Sequence, residues 1–554
     1  MIPQPRHLNV ARYLQEMAEL QPATLAVACP AGRDRSGRAA FTLLNYQQLA
    51  AESDRLARGL AQAGVARGMR TVLMVPPSIE FFALTFALFK LGAVLVMVDP
   101  GMGIRNLGAC LEEAEPEAFI GIPKAHVARC LFGWARRQVR LCVTVGQRWG
   151  WSGLTLDHVR RASDAPYPAA DVDASETAAI LFTSGSTGVP KGAVYTHGIF
   201  ATQVETIRAI YQLRPGEIDL CTFPLFALFA PAFGWTAIVP DMDASRPGRA
   251  EPDKIIDAIQ TFGVTTMFGS PALLDPVGRY AAERGLRLPT LRRVISAGAP
   301  VRPEVVETLQ GLLPPEARVH TPYGATEALP VATICSSEIL GQPRQTQACG
   351  GGVCVGSPVP NLEVRIIRIS DEAVPQWHGE LLLPAGEIGE IVVRGPQVTQ
   401  SYFRRPEATA LAKIADGGGG PVWHRMGDVG YFDAEGRLWY CGRKAQRVET
   451  EAGTLFTECC EAIFNQHPQV RRTALVGVGT RPRQRPVLCV ELRPESRGTV
   501  LASVIEDLRA LGARHEMTRG IQTFLIHPSF PVDVRHNAKI FRERLAAWAE
   551  RELR

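Results

Sequence analysis

The sequence predicts an α/β protein: a large N-terminal domain with doubly wound sheets and a small β subdomain, then a smaller α+β C-terminal domain joined by a hinge. Three observations predict it. Short apolar runs alternate with helical stretches through roughly the first 340 residues, the βαβ rhythm of parallel sheets. Between 353 and 395 the texture changes to short β-type runs separated by Pro and Gly. After Gly442 a compact mixture of strand-like and helix-like segments follows. A length of 554 residues accommodates such an arrangement at about 150 residues per unit.

Each element has a local reason. An apolar run at 71–75 meets Pro76-Pro77, a helical stretch reaches 91, a second apolar run spans 93–98, and the alternation repeats at 104–115 and 118–122. The span 81–98 approaches membrane length, but Lys90 and Gly92 interrupt it and Asp99-Pro100 ends it, so a buried helix turning into a buried strand is expected. Further short runs at 177–182, 265–268 and 293–296 continue the sheets. Runs at 362–369 and 388–394 predict the antiparallel subdomain, and Gly417, Gly418, Gly419 and Gly420 a solvent-facing loop. Beyond a hinge placed near 442–445, strands are expected at 473–478, 487–492 and 523–527, with helices at 501–511 and from Phe541. The division is therefore 1–441 and 442–554. No internal repeat is visible.

Hydrophobic residues at 46% and charged residues at 21% exclude a disordered chain. A net charge of 60 − 55 = +5 over this length supplies no counterion-release engine for nucleic acid. The twelve Cys include no C-x-x-C and read as reduced thiols. Residues 1–20 carry Arg6, His7, Arg12 and Glu16 without an apolar stretch of signal-peptide length, so a cytoplasmic protein without a transmembrane segment is expected. Only seven of the 60 cations are Lys, at 90, 124, 191, 254, 413, 444 and 539, so each Lys departs from a strong bias toward Arg.

After the run 177–182 comes Thr183-Ser184-Gly185-Ser186-Thr187-Gly188-Val189-Pro190-Lys191-Gly192. Hydroxyls, glycines and one cation in ten positions supply converging backbone N–H groups, side-chain donors and a positive charge, as a polyphosphate requires. The loop is not a P-loop, because Gly192 and Ala193 follow Lys191 where a Ser or Thr would hold magnesium. The full string resembles the signature of the adenylate-forming superfamily of acyl-CoA synthetases, peptide-synthetase adenylation domains and luciferases. Five further segments match in the family's order: Ser296-Ala297-Gly298-Ala299-Pro300, Tyr323-Gly324-Ala325-Thr326-Glu327, Met426-Gly427-Asp428, Gly442-Arg443 and Asn537-Ala538-Lys539-Ile540.

The resemblance implies ATP and Mg²⁺ as cofactors and gives each segment a role. Gly298, Ala299 and Pro300 would abut the adenine and Tyr323 stack on it, while Thr326 would bond the α-phosphate and Glu327 hold Mg²⁺. Asp428 would bind the ribose hydroxyls, and Arg443 would also reach the nucleotide. Two of the seven Lys, Lys191 and Lys539, occupy the two signature lysine positions. A carboxylate attacking the α-phosphorus of ATP brings two anions together, so cations must stand where negative charge collects. Lys191 would serve the β- and γ-phosphates, and Lys539 the attacking carboxylate and α-phosphate.

The segment 223–235 is apolar and aromatic with small residues interleaved, which suits either a buried strand and turn or the lining of an alkyl pocket by Phe226, Ala227 and Phe229. It holds no acid or amide to pair an ammonium group, which disfavours a polar amino acid. Ala227 stands where the superfamily usually has His, Ala445 where acyl-CoA ligases have Asp or Lys, and Ala452-Gly453 where the thiol's approach glycine is expected. These departures point away from thioester formation. With the run from Pro531 to Lys539 they resemble the β-lactone synthetases of bacterial long-chain olefin biosynthesis. That resemblance implies a 2-alkyl-3-hydroxy fatty acid whose own hydroxyl attacks the adenylate, and association with a reductase and a lactone decarboxylase. The alternatives are a long-chain fatty acyl-CoA ligase and, from another class, an acyl-binding pseudoenzyme or pathway scaffold. His197, just after the phosphate loop, reads as a structural neutral His.

Overall fold

The computed structural model describes residues 8–33, 39–163, 165–183, 190–496, 501–532 and 540–554. The loop residues Ser184, Gly185, Ser186, Thr187 and Gly188, and the late Lys539, lie outside the described residues.

Two seven-stranded sheets form the larger part of the chain. The first runs in the spatial order Leu154–Thr155, Leu141–Thr144, Ala118–Gly121, Arg70–Met74, Val94–Val98, Thr177–Thr183, Lys191–Thr196, and is parallel except for its last pair. The second runs Arg318–His320, Arg293–Ile295, Thr266–Phe268, Ile218–Cys221, Thr236–Ile238, Leu25–Arg33, Ala39–Asn45, again parallel until its last pair. Strand order 3-1-2 around Arg70–Met74 follows from helical crossovers, which leave both sheet faces covered and the strands apolar throughout.

The near-membrane-length run resolves as expected into the helix Ile79–Lys90 and the strand Val94–Val98. The Ser78 hydroxyl accepts from the Phe81 N–H at 3.2 Å and opens the helix, after which 81–90 are all buried. Lys90, at 1% exposure, pairs with Asp54 of the neighbouring helix Tyr46–Gln62. A buried ammonium therefore meets a carboxylate rather than hydrocarbon. No described helix is long and apolar enough to cross a membrane.

The third sheet is antiparallel and joins Tyr323–Ala325, Ala328–Thr333, Val353–Pro358, Leu438–Arg443, Trp423–Phe432, Gly389–Arg394 and Glu363–Ile367, with Lys413–Ile414 beside Trp423–Phe432. The strand Leu438–Arg443 thus carries Gly442 and Arg443 into this sheet, opposite Val429 and Asp428. Beyond it, Val470–Val478, Arg485–Leu492 and Thr523–Ile526 form a sheet packed by the helices Thr457–Phe464, Leu501–Ala513 and Arg542–Glu552. The link is tethered by charge: Lys444 Nζ lies 3.0 Å from Glu390 Oε1, and Arg447 Nη2 2.6 Å from Asp371 Oδ2. Gly442 has φ +132°, and a Cβ there would lie 2.4 Å from Thr457 Oγ1, so only glycine lets the helix Thr457–Phe464 approach this strand.

One of the two readings open for the segment 223–235 is corrected. The segment 223–235 is not strand and turn but two one-turn helices, Pro224–Ala227 and Ala230–Phe233, each opened by a proline in its first turn.

Candidate active site

The parallel strands Thr266–Phe268, Arg293–Ile295 and Arg318–His320 end side by side, and the segments singled out in the sequence begin at their carboxyl ends. Ligands bind at such strand ends in open α/β sheets. Ser296 is 1% exposed and its N–H donates to His320 O at 2.8 Å, which seats the start of the segment 296–300 against the strand Arg318–His320. Gly298 takes φ +95°, a turn that exposes its own backbone while Ala299 stays half-buried.

Tyr323, Asp428 and Arg443 meet although far apart in sequence. The Tyr323 hydroxyl donates to Asp428 Oδ2 at 2.6 Å, and Arg443 Nη1 lies 2.8 Å from Asp428 Oδ1. That second approach is an ion pair off the line of a hydrogen bond, so Oδ1 keeps its acceptor capacity although Asp428 is only 2% exposed. Burial pushes the Asp428 carboxyl up, against the opposing pull of Arg443 and the Tyr323 hydrogen bond. The Asp428 charge in turn raises Arg443, and the Tyr323 phenol is pushed well up by burial and by Asp428. The rings of Tyr323 and Tyr440 stand 6.0 Å apart.

Glu327 forms a second cluster. Its Oε1 accepts from the Tyr402 hydroxyl at 2.6 Å, and its backbone carbonyl accepts from the Thr399 N–H at 2.9 Å and hydroxyl at 3.2 Å. The backbone carbonyl of Thr326 accepts from the Tyr195 hydroxyl, while Gly324 is exposed and Ala325 half-buried beside them. Lys191 Nζ stands 5.0 Å above the Tyr402 ring, a cation–π contact, and Lys191 is the register partner of Thr183. Behind them Lys413, 7% exposed, donates to the carbonyl of Thr399 and, at 3.3 Å, to its hydroxyl. Burial lowers the Lys413 ammonium to about 7, with Glu327 pulling the other way.

Among the described residues no group of three or more His, Cys, Asp or Glu could hold a metal. One carboxylate, that of Glu327, whose second oxygen receives no hydrogen bond among the described residues, fits Mg²⁺, which binds through one or two carboxylates and substrate phosphates rather than a protein cage.

Beside this polar cluster lies an aromatic one. Phe226 packs on Phe268 at 4.5 Å and on Phe223 at 5.4 Å, and Phe229 lies 6.4 Å from Phe200 and 6.2 Å from Phe233. Phe226 and Phe229 are half-buried, whereas Ala227 is 1% exposed and packs into the core. Phe268 is the register partner of Ile295, the residue before Ser296, so the rings and the polar segments occupy adjacent strand ends. On the neighbouring strand Ile218–Cys221, Asp219, 6% exposed, accepts from the Cys221 thiol at 3.1 Å, and burial raises its carboxyl to about 7. His197 is 1% exposed, its Nδ1 accepts from the Val10 N–H at 3.3 Å, and burial lowers it to about 4. It is a neutral His bonded to backbone, as its sequence context implies.

Tyr402, Thr399 and Lys413 are additions that no motif announced. The scarcity of Lys is the one signal that could have found Lys413.

The sequence matches the AMP-binding enzyme family over residues 14–403. The chain belongs to that family, whose members form adenylates. Within it, the chain is 54% identical over 549 residues, 98% of each chain, to the olefin beta-lactone synthetase of Xanthomonas campestris pv. campestris. It is also 54% identical, over 99% of each chain, to that of Stenotrophomonas maltophilia. Solved structures agree on the fold. The amide bond synthetase McbA from Marinactinospora thermotolerans superposes with a TM-score of 0.76 at 23% identity, over 97% of this chain and 99% of that one. O-succinylbenzoate coenzyme A synthetase (MenE) from Bacillus subtilis, in complex with ATP and magnesium ion, gives 0.73 at 19% identity over 96% and 98%.

Proposed function

We propose that this AMP-forming ligase activates the carboxylate of a 2-alkyl-3-hydroxy fatty acid with ATP and closes it to a β-lactone, releasing pyrophosphate and AMP. The observation that carries this reading is the meeting of the polar cluster around Asp428 and Glu327 with the aromatic cluster around Phe226 at adjacent strand ends. The name printed for both relatives of 54% identity supports a lactone as the product.

In this reading Asp428 accepts from the ribose hydroxyls through Oδ1, Tyr323 and the segment Gly298-Ala299-Pro300 flank the base, and Arg443 holds Asp428 charged. The loop residues Thr183 to Gly188 and Lys191 bind the phosphates. Glu327, fixed by Tyr402 and Thr399, holds Mg²⁺, which supplies charge neutralisation to the phosphate oxygens. The substrate carboxylate oxygen bonds the α-phosphorus as the bond to the β-phosphate breaks, and Lys539 offsets the charge gathering there.

The 3-hydroxyl oxygen then bonds the acyl carbon, its proton departs, and the acyl–phosphate bond breaks to free AMP. An internal nucleophile held close has an effective molarity up to roughly 10⁵–10⁸ M, which offsets part of the strain of the four-membered ring. Phe226 and Phe229 line the alkyl chain, and 1–441 and 442–554 are the two functional units. The same reading assigns a cytoplasmic location, with a reductase and a lactone decarboxylase as neighbouring enzymes.

The test is incubation with ATP, Mg²⁺ and a synthetic 2-alkyl-3-hydroxy acid without CoA. Lactone with stoichiometric AMP supports the proposal, whereas strict dependence on CoA replaces it with the acyl-CoA ligase reading. Nucleotide binding without pyrophosphate release for any acid replaces it with the pseudoenzyme.

A further inference from the structure

From position 118 to position 156 the chain has no Asp or Glu, but it has Lys124, Arg129, Arg136, Arg137, Arg140 and Arg148. With 55 acids in 554 residues, about four would be expected in a stretch of this length. The stretch builds the helix Pro123–Phe132 and its flanking turns, which connect Ala118–Gly121 to Leu141–Thr144. This is the edge of the first sheet opposite Thr177–Thr183 and Lys191–Thr196, so it faces away from the nucleotide site.

Three of the large apolar side chains that this protein exposes lie here: Leu131 at 74%, Trp149 at 58% and Phe132 at 53%. Both aromatic rings are anchored rather than loose. Phe132 stacks on Trp134 at 5.6 Å, and Trp134 is buried against Gly108, where an added Cβ would lie 2.8 Å from the indole nitrogen. Trp149 stands 6.2 Å from Trp151, which stacks on His126 of the helix at 5.3 Å.

The cations are available. Arg136 and Arg137 are exposed and share one depression with Gly133 and Glu112, and neither they nor Arg140 make an ion pair among the described residues. The acids of the adjoining helix are engaged elsewhere. Glu112 accepts from the Ala135 N–H and the Gln138 amide, while Glu113, Glu115 and Glu117 pair with Arg405, Arg404 and Arg70.

We infer that this face seats the protein on an anionic lipid bilayer, with Leu131 and Phe132 entering the boundary between headgroups and acyl chains and the neighbouring Arg136 and Arg137 meeting lipid phosphates. Exposed apolar side chains beside cations that make no ion pair are what peripheral binding requires. A nucleic acid would satisfy the arginines but would leave the aliphatic tip of Leu131 without a partner. The use of such binding rests on the proposed long-chain substrate, because a doubly alkylated acid partitions into bilayers. The binding itself does not depend on that substrate.

The experiment is co-sedimentation of the full chain with vesicles of phosphatidylcholine containing about 30 mol% phosphatidylglycerol, against vesicles of phosphatidylcholine alone. Partition into the anionic vesicles, weakened by salt, is expected. It should fall about tenfold or more in Leu131→Asp/Phe132→Asp and in Arg136→Glu/Arg137→Glu, with ATP affinity and melting temperature as in the parent. Absence of vesicle binding, unchanged binding in both variants, or tighter binding to duplex DNA overturns the inference. The assay contains neither ATP nor acid, so failure here leaves the lactone reading standing, and the converse also holds.

Discussion

The polar and aromatic clusters share neighbouring strand ends, yet they are held in opposite ways. The Asp428 carboxylate is held by Tyr323 and Arg443 and the Glu327 carboxylate by Tyr402, partners far away in sequence, with contacts of 2.6–2.8 Å. Around Phe226 and Phe229 the rings sit at 4.5–6.4 Å, half-buried and at varied tilts, with no hydrogen bond to fix any of them. The difference teaches where precision is needed. Phosphoryl chemistry depends on charges held in one place, whereas an alkyl chain asks only for apolar area that can adapt.

Four measurements can break or sharpen that contrast. The largest effect is expected for Lys539→Ala, where ATP–pyrophosphate exchange should fall by roughly 10²–10³-fold while AMP affinity and melting temperature hold. Exchange at parental rates would remove Lys539 from the mechanism. Next is Lys413→Met, which keeps length and removes a buried ammonium. Exchange should drop about tenfold because Thr399 loses two bonds behind Glu327, but stability should not fall, since replacing a buried charge with an apolar group is often neutral or stabilising. A parallel loss of melting temperature would make Lys413 merely structural.

Phe226→Ala should raise KM for a long-chain acid several-fold, by roughly 1–2 kcal/mol of lost apolar contact, and leave KM for ATP alone. Equal shifts in both would dissolve the distinction between the clusters. The smallest effect concerns His197. Its folded value of about 4 lies below the ordinary 6.5, so the unfolded chain binds more protons between those values. The stability it contributes is complete above pH 6.5 and is lost as pH falls through 4. Urea melts of His197→Asn should show a shallower acid slope than the parent, and identical slopes would contradict the buried neutral state.

Much of this was legible in the sequence because it is local. The βαβ alternation, the helix Ile79–Lys90 running toward the strand Val94–Val98 and the antiparallel pair Glu363–Ile367 and Gly389–Arg394 are written in periodicities within a few dozen residues. The motif residues Tyr323, Asp428 and Arg443 were found as separate words, but their mutual contact across 105 residues was not. Tyr402 belongs to no such word and reaches Glu327 across 75 residues, which no local pattern encodes. The segment 223–235 stayed open between strand and pocket lining because an unbroken apolar run has no period to read. Pro224 and Pro231, each in the first turn of a helix, were the signal to weigh instead.

Asp219 gives the aromatic cluster a hidden sensitivity. A carboxyl that titrates near neutrality lies on the strand Ile218–Cys221, which pairs with the strand of Phe268, uncharged on the acid side and anionic on the alkaline side. Alkaline medium therefore puts a negative charge into the sheet that carries Phe268 of the aromatic cluster, and an alkyl tail's grip on that cluster should loosen as the medium turns basic.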